Sequence, residues 1–271
     1  MLRSLTSQLE VHLHSTHLAV AKTRLGSRKE ERHVIPVEDT SKTVSAGWKA
    51  ALIALDIWLE TSRQNGASIE FIASDHFSHY GLIPWSPDVQ SADELNALGR
   101  AALHALYGPL SNEWEIQVEY SGYGGAGLAC AMERSLITEI IQLCDKHALR
   151  LKKIQPLFTR ILSLLRNEIG KEGLIAVVEH NRCVLACIHH GAWHSVRALS
   201  VSRSPSNALD VLIERELILQ GLDANLAIRV QSVAQTNIST ASRFPNAVLA
   251  NHLPWLIPAS MQASAEQPAE A

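Results

Sequence analysis

The sequence predicts an α/β protein built from two related halves, each opening with a three-stranded meander followed by alternating helices and strands. A strand-turn-strand pattern occurs twice, as LEVHLHSTHLAVAKT (Leu9 to Thr23) and as LIAVVEHNRCVLACIHHGAW (Leu174 to Trp193). Each copy is followed by a further extended segment and then by apolar residues at helical spacing. Composition agrees: 271 residues, 46% hydrophobic and 19% charged, can bury a real core.

In the first half Leu9, Val11 and Leu13 alternate with Glu10, His12 and His14, the period of a strand with one buried face. A short turn at His14 to His17 returns through LAVA, and EERHVIPVE supplies the third strand. Val44, Trp48, Ala51, Leu52, Leu55 and Leu59 share one helical face. IEFIAS (Ile69 to Ser74) and HYGLIPW (His79 to Trp85) read as strands, and Ser91 with Glu94 makes a capping box for the next helix. EIQVEY is a further strand, and Leu128 to Ala148 is expected as one long helix carrying Met132, Leu136, Ile140 and Leu143 inward.

LRLKKI leads across to the second half, where Pro156 opens a helix with Leu157, Ile161, Leu164 and Leu165 on one face. Three strands fill Leu174 to Ser200. Ser204 then caps a helix with Pro205 at its first position, and Gly221 stops it. AIRVQSVA and NAVLAN are the last strands. The expected division is 1–150 and 151–258 as the two subdomains, with 259–271 a disordered tail that lacks aromatic residues.

The formal charge of −3 implies no nucleic-acid partner, while thirteen histidines make the charge sensitive to pH near neutrality. Four cysteines without an export segment suggest free thiols in a reducing compartment. The longest uncharged stretch, Phe244 to Ala265, is broken by Pro245, Pro254 and Pro258 and is unsuited to spanning a membrane. A cytoplasmic protein with no direct membrane insertion is expected.

Three segments carry a family resemblance: ASDHFSHYGLIPWS, LRLKKIQPLFTRILSLLRN and VVEHNRCVLACIHHGAWHSVRALS. Over roughly residues 8 to 235 the chain resembles the cytoplasmic actin-like proteins of type IV pilus and type II secretion assembly, the PilM type and the cytoplasmic domain of the GspL type. The resemblance implies the actin-like ATPase (ribonuclease H-like) fold. ATP-using members of that fold place an acidic residue and a glycine at the first hairpin and again at the second half. The glycine lets backbone N–H groups approach phosphates, and the carboxylate organises Mg²⁺. Here His12 and His14 take the first pair, or Glu10 and His12 in a slipped register, and neither contains glycine. Glu179 and Asn181 take the second pair, and no glycine-rich adenosine loop is visible from Ser200 to Ala241 apart from Gly221.

By resemblance, the expected protein is a pseudo-ATPase: a non-catalytic scaffold without cofactor or metal, peripheral to the inner membrane. It would grip the cytoplasmic segment of a PilN-like membrane partner and communicate with a cytoplasmic assembly motor. The stretch Leu82 to Trp85 is one conceivable contact, though Trp85 equally suits a core anchor. A first alternative is an ATP-binding regulatory protein of the same fold, with Glu10 and Glu179 supplying carboxylates and main-chain amides of the histidine turn meeting phosphate.

A second alternative is a dinucleotide-dependent enzyme, because Gly122, Gly124 and Gly127 spell G-x-G-x-x-G after a strand and before the expected long helix. Against it, LRLKKI ends in a basic residue pair before Ile154 rather than offering a ribose-binding carboxylate. His12 and His14 form H-x-H, whose imidazoles share a strand face about 7 Å apart at Cα and can converge on a metal. The ordinary reading is a strand whose polar face carries histidine. Cys183 and Cys187 with His189 and His190 suggest zinc, but four residues of strand span about 13 Å, too far for two thiolates on one ion. Cys130 and Cys144, placed on one helix, are likewise too far apart to pair. No nucleophile elbow, phosphate-loop lysine or H-E-x-x-H helix is present, and adjacent Asp75 and His76 on a strand end point to opposite sides.

Overall fold

The computed structural model describes residues 7–24, 30–37, 47–165, 168–201, 208–223, 225–233, 243–250, 253 and 256. The chain opens with β1 (Ser7–Leu13), β2 (His17–Arg24) and β3 (Glu30–Pro36), then α1 (Gly47–Ser62) and β4 (Ser68–Ala73). There follow β5 (Ser78–Ile83), α2 (Ala92–Tyr107), β6 (Trp114–Tyr120), β7 (Gly127–Glu133), α3 (Arg134–Lys146) and β8 (Arg150–Pro156). The remainder is α4 (Leu157–Leu165), β9 (Gly173–Glu179), β10 (Arg182–His189), β11 (Ala192–Ser200), α5 (Ala208–Gln220), β12 (Ile228–Ser232) and β13 (Ala247–Ala250).

Two compact units result. The first draws mainly on Met1–Ser78 and Glu133–Arg160, the second on His79–Met132 and Ile161–Pro254. In the first unit a five-stranded sheet runs β3-β2-β1-β4-β8. β1, β2 and β3 pair antiparallel as a meander, and β4 and β8 add in parallel. The first sheet thus extends past residue 150, because LRLKKI is β8 and lies beside β4. Trp48, Ala51, Leu52, Leu55 and Leu59 of α1 are buried against Leu9, Val11 and Leu13 in one core, with Leu136, Ile140 and Leu143 of α3. These helical positions match the apolar stripe in the sequence; Val44 lies outside the described residues.

The strand β1 departs from the expected single buried face. His12 is fully buried and His14 nearly so, as is Leu13 between them. β1 lies mid-sheet between β2 and β4, and from Val11 to Leu13 consecutive side chains, which point to opposite faces, are all buried, so both faces are covered at this end of the strand.

The second unit holds two sheets. One is a five-stranded sheet, β11-β10-β9-β12-β13, repeating the meander-plus-parallel plan of the first unit. Its core joins Leu174, Ala176 and Val178 to Cys183, Leu185 and Cys187 and to Leu209, Ile213 and Leu217 of α5. Gly221, at φ +65°, ends α5 as expected, and Leu222 N–H reaches back to the Leu217 carbonyl at 2.9 Å. Ser204, Pro205 and the tail 259–271 lie outside the described residues.

The other sheet is three-stranded, β5-β7-β6, covered by α2. Ser91 caps α2 through Glu94 N–H, and the Glu94 side chain returns to the cap, the box predicted from sequence. Gly99 of α2 permits the close approach, because a Cβ there would collide with Val118 of β6. One sequence expectation is corrected here: the single helix Leu128 to Ala148 is a strand, β7, followed by the shorter α3. Leu128 to Met132 is a continuous apolar run, buried except at the half-buried Cys130, which periodicity cannot tell from a buried helix.

Candidate functional site

In the first unit the β1–β2 turn carries the residues where the resemblance places phosphate chemistry. His12 lies in β1 opposite Ala19 of β2 and Ile72 of β4, and His14 begins the turn. The ring of His14 packs against those of His12, His17 and His76, with centroids at 6.0, 4.7 and 5.7 Å; His12 and His17 lie 5.7 Å apart. The turn binds itself internally. His14 N–H donates to the His17 carbonyl at 3.1 Å, and Thr16 N–H donates to His14 Nδ1 at 3.2 Å. The Thr16 hydroxyl sits 2.9 Å from that same nitrogen. None of the residues from His14 to His17 has positive φ, so this turn makes no demand for glycine.

Burial pushes the His12 imidazole down to about 3, leaving it neutral near pH 7. Glu10, two residues earlier, meets Arg160 at 2.9 Å. Burial raises the Glu10 pKa above the usual carboxylate value, and the Arg160 guanidinium opposes that rise. Asp75 is buried beside this region, and its Oδ1 accepts a hydrogen bond from Phe158 N–H at 3.1 Å. Among the described residues, His12 and His14 do not belong to any trio of ligand atoms close enough to hold a metal ion.

In the second unit the equivalent turn joins β9 to β10, with Glu179 facing Arg182 across His180 and Asn181. Glu179 is buried. Asn181 has φ +62°, a left-handed conformation that favours glycine or asparagine, so it fills the glycine position by backbone geometry.

The glycine-rich segment lies elsewhere in that unit. Gly122 and Gly124 sit in the hairpin between β6 and β7, where Gly124 has φ +79° and Gly125 N–H donates to the Gly122 carbonyl at 3.1 Å. Gly127 starts β7, and a Cβ on it would press against Ile83 at 2.7 Å and Tyr120 at 3.0 Å. Because Gly127 opens a strand, the strand-to-helix context of a dinucleotide fingerprint is not formed. Trp85 is half-buried and pairs with the exposed Tyr123 ring at 4.9 Å.

Cys183 and Cys187 both lie on strand β10 and are fully buried in the apolar core. Cys130 lies on β7 rather than on a helix, whereas Cys144 is on α3. His189 and His190, at the end of β10, instead meet Glu172, which sequence reasoning had not singled out: His189 Nδ1 lies 2.6 Å and His190 Nδ1 3.1 Å from its carboxylate. Only the approach of the preceding loop to the hairpin reveals this pairing, since seventeen residues separate Glu172 from His189.

Two related halves, each with a meander and added parallel strands, define a protein of the actin-like ATPase fold, as the sequence led us to expect. The chain is similar to a Bacteroides thetaiotaomicron protein with that fold and unknown function, at 10% identity and TM-score 0.63 over 96% of each chain. It is similar to the cytoplasmic domain of EpsL, an inner membrane component of the Vibrio cholerae type II secretion system: 10% identity, TM-score 0.57, 97% of this chain and 96% of that one. The PilM–PilN type IV pilus biogenesis complex also matches, at 12% identity and TM-score 0.62 over 94% of this chain and 90% of that one. No protein-family model and no curated protein matches the chain in sequence. Among the described residues, no helix is long and apolar enough to cross a membrane.

Proposed function

We propose that this chain is a non-catalytic scaffold of a type IV pilus or type II secretion-like assembly. It works on the cytoplasmic side of the inner membrane by holding the cytoplasmic segment of a PilN-like membrane protein. The reading is supported by the fold shared with the PilM–PilN complex and the EpsL domain over more than nine-tenths of the chain. The observation that carries its non-catalytic part is the first hairpin. Where an ATPase of this fold needs a carboxylate and an open glycine turn, His12 and His14 stand packed against His17 and His76, and two turn amides are spent on internal hydrogen bonds. The nearby Glu10 carboxylate is held by Arg160 rather than presented for Mg²⁺.

Two measurements test this. Thermal melting with and without ATP and Mg²⁺ should show no shift, whereas a true site at a hundredfold excess over Kd adds about 2.7 kcal/mol. A saturable ATP shift would overturn the non-catalytic reading. In the second, the immobilised protein is challenged with peptides from the cytoplasmic ends of PilN-like membrane proteins of its own cell. Retention of one of them is expected, and failure to retain any would overturn the scaffold reading.

A further inference from the structure

The β10–β11 hairpin of the second unit gathers a ligand set that the scaffold role does not use. Glu172, His189 and His190 each bring one ligand atom, and these atoms all lie within 4.8 Å of one another. The arrangement is fixed by backbone. His190, at φ +54°, and Gly191, at φ +80°, form the tight two-residue turn. His190 N–H donates to Glu172 Oε1 at 2.8 Å, and Gly191 N–H donates to the Lys171 carbonyl at 2.8 Å. The hairpin tip and the loop carrying Glu172 are thereby tied together. A β-bulge adds a fourth candidate. The register shifts after Cys187, leaving His194 without a position in the β10–β11 ladder, and its ring lies 5.6 Å from that of His189.

We propose that Glu172, His189, His190 and His194 form a binding site for a divalent transition-metal ion of the Zn²⁺ class. Three imidazoles and one carboxylate are the donors such an ion selects. Around a tetrahedral zinc with ligands near 2.0–2.1 Å, adjacent donor atoms stand about 3.3 Å apart. The present 2.6 and 3.1 Å contacts of Glu172 with His189 and His190 therefore need to open by less than about 1 Å. The ring spacing of His189 and His194 is near the roughly 5 Å expected for two imidazoles on one such ion. His190 and His194 are exposed, which leaves an open path for the ion.

The test is calorimetric titration of the untagged full chain with ZnCl₂ near pH 7.5. One equivalent bound at micromolar Kd or tighter is expected, weakened about tenfold or more in Glu172→Gln and His194→Ala and lost in the double variant His189→Ala/His190→Ala. Zn²⁺ should raise the melting temperature of the parent protein and leave that of the double variant unmoved. No stoichiometric binding, or binding that survives unchanged in the double variant, would overturn the proposal. Circular dichroism confirms that each variant is folded, and Glu172→Gln, nearly isosteric, keeps the test decisive if the double variant is not.

Discussion

The Arg160 guanidinium meets the Glu10 carboxylate at 2.9 Å, so the acidic side chain of β1 is neutralised within its own unit. Burial first, and then the charges of Glu70 and Glu30, drive the Glu10 pKa up, and Arg160 limits that rise. Arg160→Met should lower stability at pH 7.5 by about 1–2 kcal/mol, less than for a fully buried pair because both side chains retain some solvent contact. The sign with pH comes from a folded pKa raised above the unfolded value of 4.5. The charged carboxylate is a cost above the raised pKa, and that cost fades as pH falls through the raised pKa toward 4.5 and is gone below it. Urea unfolding of the variant at pH 7.5 and pH 4 should show the deficit shrinking; an unchanged deficit would mean that Arg160 acts through packing instead.

Two histidines should govern the acid limb of stability. Burial lowers His12 to about 3, and burial with the Arg182 charge lowers His79 to about 4. Both are depressed below the ordinary histidine value of 6.5, so the unfolded chain takes up their protons first. Their contribution is complete above pH 6.5 and is lost as pH drops through the window down to 3 or 4. Each site contributes a slope of up to about 1.4 kcal/mol per pH unit. His79 stacks on Trp114 at 3.8 Å with 6° between the planes. His79→Phe should keep the stack while removing one proton from the slope, a change visible in unfolding free energies measured from pH 7 to 4.5.

Gly99 is a close-packing glycine, whereas Gly124 is a turn glycine. Gly99→Ala should destabilise the protein by about 1–3 kcal/mol, since the added methyl meets Val118, a stiff branched side chain. Gly124→Ala meets nothing within 4 Å and bears only the strain of φ +79°, about 1–2 kcal/mol. Gly99→Ala should also loosen the β6 amides, read by hydrogen exchange, while Gly124→Ala should affect only its hairpin.

Three of the four thiols should be silent. Cys144, Cys183 and Cys187 are buried, and burial pushes Cys144 up to about 12 and Cys187 up to about 11. Only thiolates react, so iodoacetamide at pH 8 should modify Cys130, which is half-buried, well ahead of the others. Mass mapping checks this; early modification of Cys187 would contradict the close packing of β10.

Much of the architecture was legible because it rests on local pattern. The α1 stripe from Trp48 to Leu59, the Ser91–Glu94 box and the Gly221 stop each depend on residues within a few turns of one another. β7 was not legible, since Leu128 to Met132 is buried on both faces and carries no period. The same limit hid the glycine segment's role: only the pairing of β7 between β5 and β6 makes Gly122, Gly124 and Gly127 a hairpin rather than a phosphate turn.

The histidines mark the same boundary. That His12 and His14 replace a carboxylate and a glycine can be read from the order of residues along one strand. Their burial, and the packing of His76 against His14, required β4 to lie beside β1 in parallel register sixty residues away. In the second unit the chain order suggested a cysteine–histidine group, but strand alternation turns Cys183 and Cys187 into the core, and only the loop before β9 brings Glu172 to His189. Periodicity and turn chemistry act over neighbours and so are written in the chain; which distant polar groups meet is decided by sheet order and register, which emerge only when the apolar faces have packed.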